Sequence, residues 1–260
     1  MSRPLSLQLP GPKLSEVNTI PLSKKEVTTN EGYFAGVQFV EAGSPLSTVT
    51  ASWAIPNANI PLSLRGTTQP ANTQFTISVW IGLDAVSVDS SGAPTFSPGV
   101  EAGTTSTVIV TGQEIVSQSA YAWYRSGEFD STAPWSAIPV SPGDIIAFSV
   151  CQAPGGSAEV IAYGSNLSSG KASVQTTLRA TPGATAYCLI GNDYPPSSTA
   201  TADFADVFLF GIGSGAQNRT EYNLNSTNAT ILNYYSSATT PIATSTIVSP
   251  QVLEVATSQS

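Results

Sequence analysis

From Gly32 onward, apolar residues alternate with polar ones or gather in short apolar runs closed by Gly, Pro or Asn. Such runs predict strands. They include YFAGVQFVEAG (33–43), STVTASWAIP (47–56) and TQFTISVWIGLD (73–84). STVIVTGQEIVSQSAYAWYR (106–125) predicts two or three strands, and Ser141-Pro142-Gly143-Asp144 a tight turn before IIAFSVC (145–151). AEVIAYGSNLSSGKASVQTTLRA (158–180) predicts a hairpin with its loop at Asn166–Gly170, and TAYCLIGNDYPP (185–196) and DFADVFLFGIG (203–213) two late strands. No stretch sustains a helical period beyond about two turns, so helix is minor. Many short strands at regular spacing, divided by turn signals, predict an all-β sandwich or barrel.

Around this pattern the chain divides into three. Residues 1–30 read as an extended arm holding four of the nine basic residues and four prolines; 31–215 form the β-sandwich domain; 216–260 form a Ser/Thr/Asn-rich extension, either loose or adding a strand. The arm has no apolar run long enough for the core of a secretory signal, which leaves an intracellular protein or a secreted one whose leader has been removed. No apolar run approaches a helical membrane span.

Composition narrows the chemistry. Charged residues make up 10% of the chain and the net charge is −8, so Ser, Thr, Asn and Gly build most of the surface. An acidic chain lacks the basic patch that nucleic acid or an anionic membrane requires. Such weakly charged, strand-rich chains are common among secreted fungal and plant proteins. With few carboxylates, the surface loses little charge in acid. The sequence contains no histidine. That removes Ser-His-Asp and Cys-His catalysis and almost every zinc pattern, and no residue cluster suggests a metal or another cofactor. Catalysis would rest on carboxylates, amides, hydroxyls or lysine. Cys151 and Cys188 either pair across strands or remain two buried thiols.

The densest chemistry lies in VWIGLDAVSVDSSGAPTFSPGVE (79–101). A strand closing at Gly82 places Trp80 and Asp84 near a turn, and the return places Ser97 and Glu101. This is either the rim of a groove or a hairpin with acidic ends. Several other signals carry less. Asn166, Asn218, Asn225 and Asn228 open Asn-x-Ser/Thr sequons, which chance supplies in a chain this rich in Ser and Thr. Gly211–Gly215 does not fit dinucleotide spacing, and Ser97 has no histidine partner for nucleophilic catalysis.

Eight motifs in order, from Tyr33 to Phe210, resemble the glutamic peptidases, the eqolisins: GYFAGV, ASWAIP, VWIGLD, SPGVE, AYAWY, SPGDII, AYCLIGND and DFADVFLF. VWIGLD is the most specific, close to the family's Trp-Val-Gly-Ile-Asp. The resemblance implies a sandwich of two curved antiparallel sheets like that of the concanavalin-type lectins. It also implies an acid endopeptidase in which a Glu activates water and a Gln stabilises the oxyanion. At the matched positions this chain has Gly191 for the Glu and Ser97 for the Gln, with Phe34 for a family Trp and Ala122 for another Glu. Trp80 and the acidic groups Asp84 and Glu101 are kept. Losing an oxyanion donor costs ~10²–10³ in rate, and losing a general base roughly 10²–10⁴. Because the two act as a unit, the combined loss is smaller than their product.

The expectation is an eqolisin-like sandwich without the peptidase dyad, whose groove binds a peptide, a glycan or a small apolar molecule. Phe34, Trp80, Trp123 and Tyr124 would supply stacking surfaces and Asp84 and Glu101 acceptors, although each aromatic alone also suits a core. Two alternatives stand beside it. Asp84, Glu101 and Asp193 can serve acid/base chemistry such as glycoside hydrolysis, cyclisation, dehydration or isomerisation. A bulge or register slip that brings Asp193 or Asn192 to the Gly191 position would restore an acid peptidase.

Overall fold

The computed structural model describes residues 26–28, 34–41, 45–88, 94–126, 133–153, 158–180, 183–191, 200–216, 220–237 and 240–257. In chain order the strands are β1 (Glu26–Thr28), β2 (Phe34–Val40), β3 (Leu46–Ala54), β4 (Gln69–Val88), β5 (Pro94–Gly112) and β6 (Glu114–Ser126). They continue as β7 (Ala133–Pro134), β8 (Ile145–Gln152), β9 (Glu159–Asn166), β10 (Val174–Arg179), β11 (Thr185–Gly191) and β12 (Ala200–Thr201). The last five are β13 (Val207–Ala216), β14 (Glu221–Tyr222), β15 (Ala229–Ser237), β16 (Thr240–Ser249) and β17 (Val252–Thr257). The helical content of the described residues is one short 3-10 turn, Leu62–Leu64.

The strands form two sheets that pack as a sandwich. The first runs β1–β15–β2–β11–β4–β5–β6–β7, with β12 beside one end of β4. The second runs β10–β9–β8–β3–β13–β17–β16, with β14 on β13. Pairing is antiparallel except for β1 on β15 and β12 on β4. β15 joins the sheets: its first half pairs with β2, and from Tyr234 it pairs with β16 through register shifts. At this crossing Ser245 donates its hydroxyl to the Leu232 carbonyl and its amide to Asn233 Oδ1, both at 2.8 Å, so the bend leaves these buried groups paired.

Alternation places every second residue between the sheets. Val79, Ile81 and Leu83 of β4 meet Val49, Ala51 and Trp53 of β3 in one core. Trp53 of the second sheet donates Nε1–H to Thr104 Oγ1 of the first at 3.0 Å. Around it Phe148 lies at 5.3 Å, and Trp135 stacks on Phe148 at 5.9 Å. The two cysteines are separate free thiols, Cys188 buried on β11 and Cys151 half-buried on β8. Burial pushes both thiols above the ordinary cysteine range, Cys188 far more than Cys151.

One local expectation changes. Gly82 does not close its strand: β4 runs on to Val88 past an irregularity between Leu83 and Ala85. The residues after 215 contribute strands within the sheets, β15 pairing with β2 and β17 with β13. Of the amino-terminal arm, residues 26–28 form β1 and the rest lies outside the described residues.

Candidate functional site on the outer face of the first sheet

The residues of the first sheet that point away from the core form rows across its strands. One row reads Tyr187 (β11), Gly82 (β4), Glu101 (β5) and Arg125 (β6), each the register partner of the next. Gly82 carries no side chain, and the Tyr187 ring lies across it: a Cβ there would stand 2.5 Å from the ring carbons. The ring thereby spans β4, and its hydroxyl donates to Glu101 Oε1 at 2.5 Å. On the other side Arg125 donates Nε–H to Glu101 Oε2 at 2.7 Å and makes an ion pair with the same oxygen. The guanidinium also stands 5.9 Å from the Trp123 ring. The Arg125 and Glu101 side chains are 5% and 4% exposed. Leaving either charge alone at that depth would cost several kcal/mol, roughly the desolvation of one ion, so each fixes the other.

The adjacent row is apolar. Leu232, Gly36, Leu189, Trp80, Gly103 and Trp123 follow one another across β15, β2, β11, β4, β5 and β6. Trp80, Trp123, Leu189 and Leu232 form a second buried cluster, separate from the sandwich core, with Phe34 and Tyr187 half-buried at its margin. Phe34 meets Trp80 edge-on, with centroids 6.2 Å apart and planes at 85°. Gly103 makes the close packing possible: a Cβ there would lie 2.5 Å from the Val79 carbonyl and 2.9 Å from the Trp123 ring. One row further, Trp123 donates Nε1–H to Thr105 Oγ1 at 2.9 Å, and Thr105 shares a 2.8 Å bond with Ser78.

The residues singled out from the sequence therefore separate. Phe34, Trp80, Trp123 and Glu101 share this outer face. Tyr124 lies on the opposite face, packed at 5.5 Å against Trp135 in the sandwich core. Asp84 sits at the β4 irregularity and Ser97 pairs with Ala85; nothing is described of their side chains. Gly191 pairs with Ser78 and Phe34 and has φ 156°, which an L side chain rarely adopts. Asp193 and Asn192 lie outside the described residues.

The register also sets how far apart the matched dyad positions stand. From Ser78, opposite Gly191, to Ala85, opposite Ser97, is seven steps along β4. At about 3.3 Å per residue this is about 23 Å. The Glu101 row lies between them. Sequence reading missed Arg125 and Tyr187, which complete that row. Arg125 was findable, because it follows Trp123 by two residues on the same strand face.

A two-sheet sandwich with a buried aromatic cluster and a carboxylate on one outer face defines the class of protein. Residues 32–256 match the model of the peptidase A4 family, and the chain belongs to that family. Two solved structures of scytalido-glutamic peptidase, one with a transition-state-analogue inhibitor and one with a peptide-based analogue, share its fold, with TM-scores of 0.59 and 0.58. A third similar structure is SCP-B, an eqolisin in complex with the tripeptide Ala-Ile-His, with a TM-score of 0.58. Each is 17% identical and covers 88% of this chain and 100% of its own. No curated protein matches the sequence.

Proposed function

We propose that this chain is a peptidase A4 family member that binds an extended peptide on the outer face of its first sheet and does not cleave it. The observation that carries the reading is the engagement of Glu101. Its two oxygens accept from Tyr187 and Arg125 in a side chain only 4% exposed, whereas a general base must reach the proton of the water it activates. The matched Gln and Glu positions hold Ser97 and Gly191, neither of which carries a carboxylate or a carboxamide. A peptide is favoured over a glycan or a small apolar molecule because the similar SCP-B structure holds a tripeptide. The half-buried edges of Phe34 and Tyr187 offer aromatic contacts beside the buried tryptophans.

The test is calorimetric titration with a panel of short peptides, with oligosaccharides and small apolar molecules as parallel arms. Binding of a peptide that weakens at least about tenfold in Phe34→Ala, the scale of one lost aromatic contact, supports the reading. Binding unchanged by Phe34→Ala and Tyr187→Ala, or confined to the other arms, contradicts it.

A further inference from the structure

The outer face of the second sheet, on the opposite side of the molecule, carries a feature the first does not. Phe208 and Phe210 of β13 point outward, because Val207 and Leu209, which alternate with them, point into the core. Their rings stack at 6.2 Å, with planes 21° apart. The register extends this pair sideways. Leu209 pairs with Trp53 and Ala54 with Ile145, so Phe208, Ala54 and Ile145 stand in one row across β13, β3 and β8. The Leu167 amide donates to the Ile145 carbonyl at 2.8 Å, placing Leu167 at the row's end. The next row holds Val252, Phe210, Ser52 and Ala147, with Val248 on the adjoining β16.

Ile145, Leu167, Phe208, Phe210 and Val248 are 47%, 47%, 39%, 41% and 38% exposed. They are half of the ten large hydrophobic residues exposed among the described residues, gathered at one corner of one sheet. Given ~150–200 Å² per large side chain, these exposures leave on the order of 400 Å² of apolar surface, within the range that marks a functional patch on a monomer. Two such patches face to face would cover about 800 Å² from these five residues. Ala54, Ala147 and Val252 border these side chains, and an area of this size is that of a weak contact. The charges beside the patch, Asp206 and Glu254, are both acidic. Their sign does not favour an anionic partner or membrane, and across a two-fold contact they repel their own copies, which keeps the association weak.

We infer that this corner, built on Phe208, Phe210, Ala54, Ile145 and Leu167, is the contact through which two copies of the chain form a weak symmetric dimer. Sedimentation velocity of the full chain from about 1 to 200 μM, the range in which an interface of this size associates weakly, is the test. The expected result is a reversible monomer–dimer equilibrium. Ala54→Glu, a charge on an exposed position in the middle of the row, weakens it at least about tenfold. Phe208→Thr/Phe210→Thr, which keeps residues suited to a strand, does the same while far-UV dichroism stays native. A monomer at every concentration overturns the inference, as does a dimer indifferent to these substitutions. Partition of the monomer onto phosphatidylcholine vesicles through the same residues also overturns it, because the occupant would then be lipid.

Discussion

Replacing Arg125 by methionine removes the guanidinium from a carboxylate whose side chain is 4% exposed. The Tyr187 hydroxyl still donates to Glu101 Oε1 in the variant, but the countercharge is gone. Breaking a buried pair from one side costs about 3–5 kcal/mol, a large share of a typical ~5–15 kcal/mol stability. A buried carboxyl without its countercharge prefers its neutral form, so the folded variant binds a proton that the unfolded chain releases. Its stability therefore falls as pH rises above the unfolded carboxyl range of about 4.3 and recovers toward acid. Glu101→Gln/Arg125→Met removes both charges, keeps an acceptor for Tyr187 and should regain most of the loss, giving a coupling of at least about 2 kcal/mol in a double-mutant cycle. Urea unfolding followed by tryptophan fluorescence at two pH values measures all four corners. If Arg125→Met costs less than about 1 kcal/mol at neutral pH, or the double variant loses the sum of the singles, the pair is not the closed, buried unit described.

Three further outcomes follow from the same geometry. Gly103→Ala places a Cβ 2.5 Å from the Val79 carbonyl and 2.6 Å from the Trp80 Cβ; backbone must move, and thermal unfolding should register a loss of about 1–3 kcal/mol. In the native chain Cys188 should resist thiol reagents and Cys151 react slowly, with both titrating after unfolding, because burial raises both thiols and neither is paired. Tyr222 donates to the Glu41 carboxylate, which also accepts from Asn228 at 2.6 Å, and this raises its ionisation above the ordinary tyrosine range. The stability it contributes is present below the unfolded tyrosine range and lost as pH rises through the folded one; ultraviolet titration should show a late-ionising tyrosine that Tyr222→Phe removes.

The sandwich was legible because period-two alternation fixes which residues face the core, and Val79, Ile81 and Leu83 obey it. Strand ends were less so: Gly82 reads as a terminator, yet it stays in the ladder because the Tyr187 ring fills the space above it. The AYAWY motif suggests Tyr124 for the groove, whereas its parity with Ala122 puts it in the core. The Glu101–Arg125–Tyr187 row joins residues 86 positions apart, and only the long-range register brings them together. Ser97 and Gly191 are matched to the family's dyad by local motifs, whereas their placement relative to one another depends on long-range register, which local motifs do not carry.

Binding without cleavage is checked by incubating the full chain with a denatured protein substrate across about pH 2–7, where a carboxylate-based peptidase would show its optimum. No cleavage is expected at any pH. None is expected from Ser97→Gln/Gly191→Glu either, since the register sets the two positions against different parts of β4. Cleavage by the native chain that disappears in Asp193→Ala or Glu101→Gln would overturn the reading and make this protein an acid peptidase.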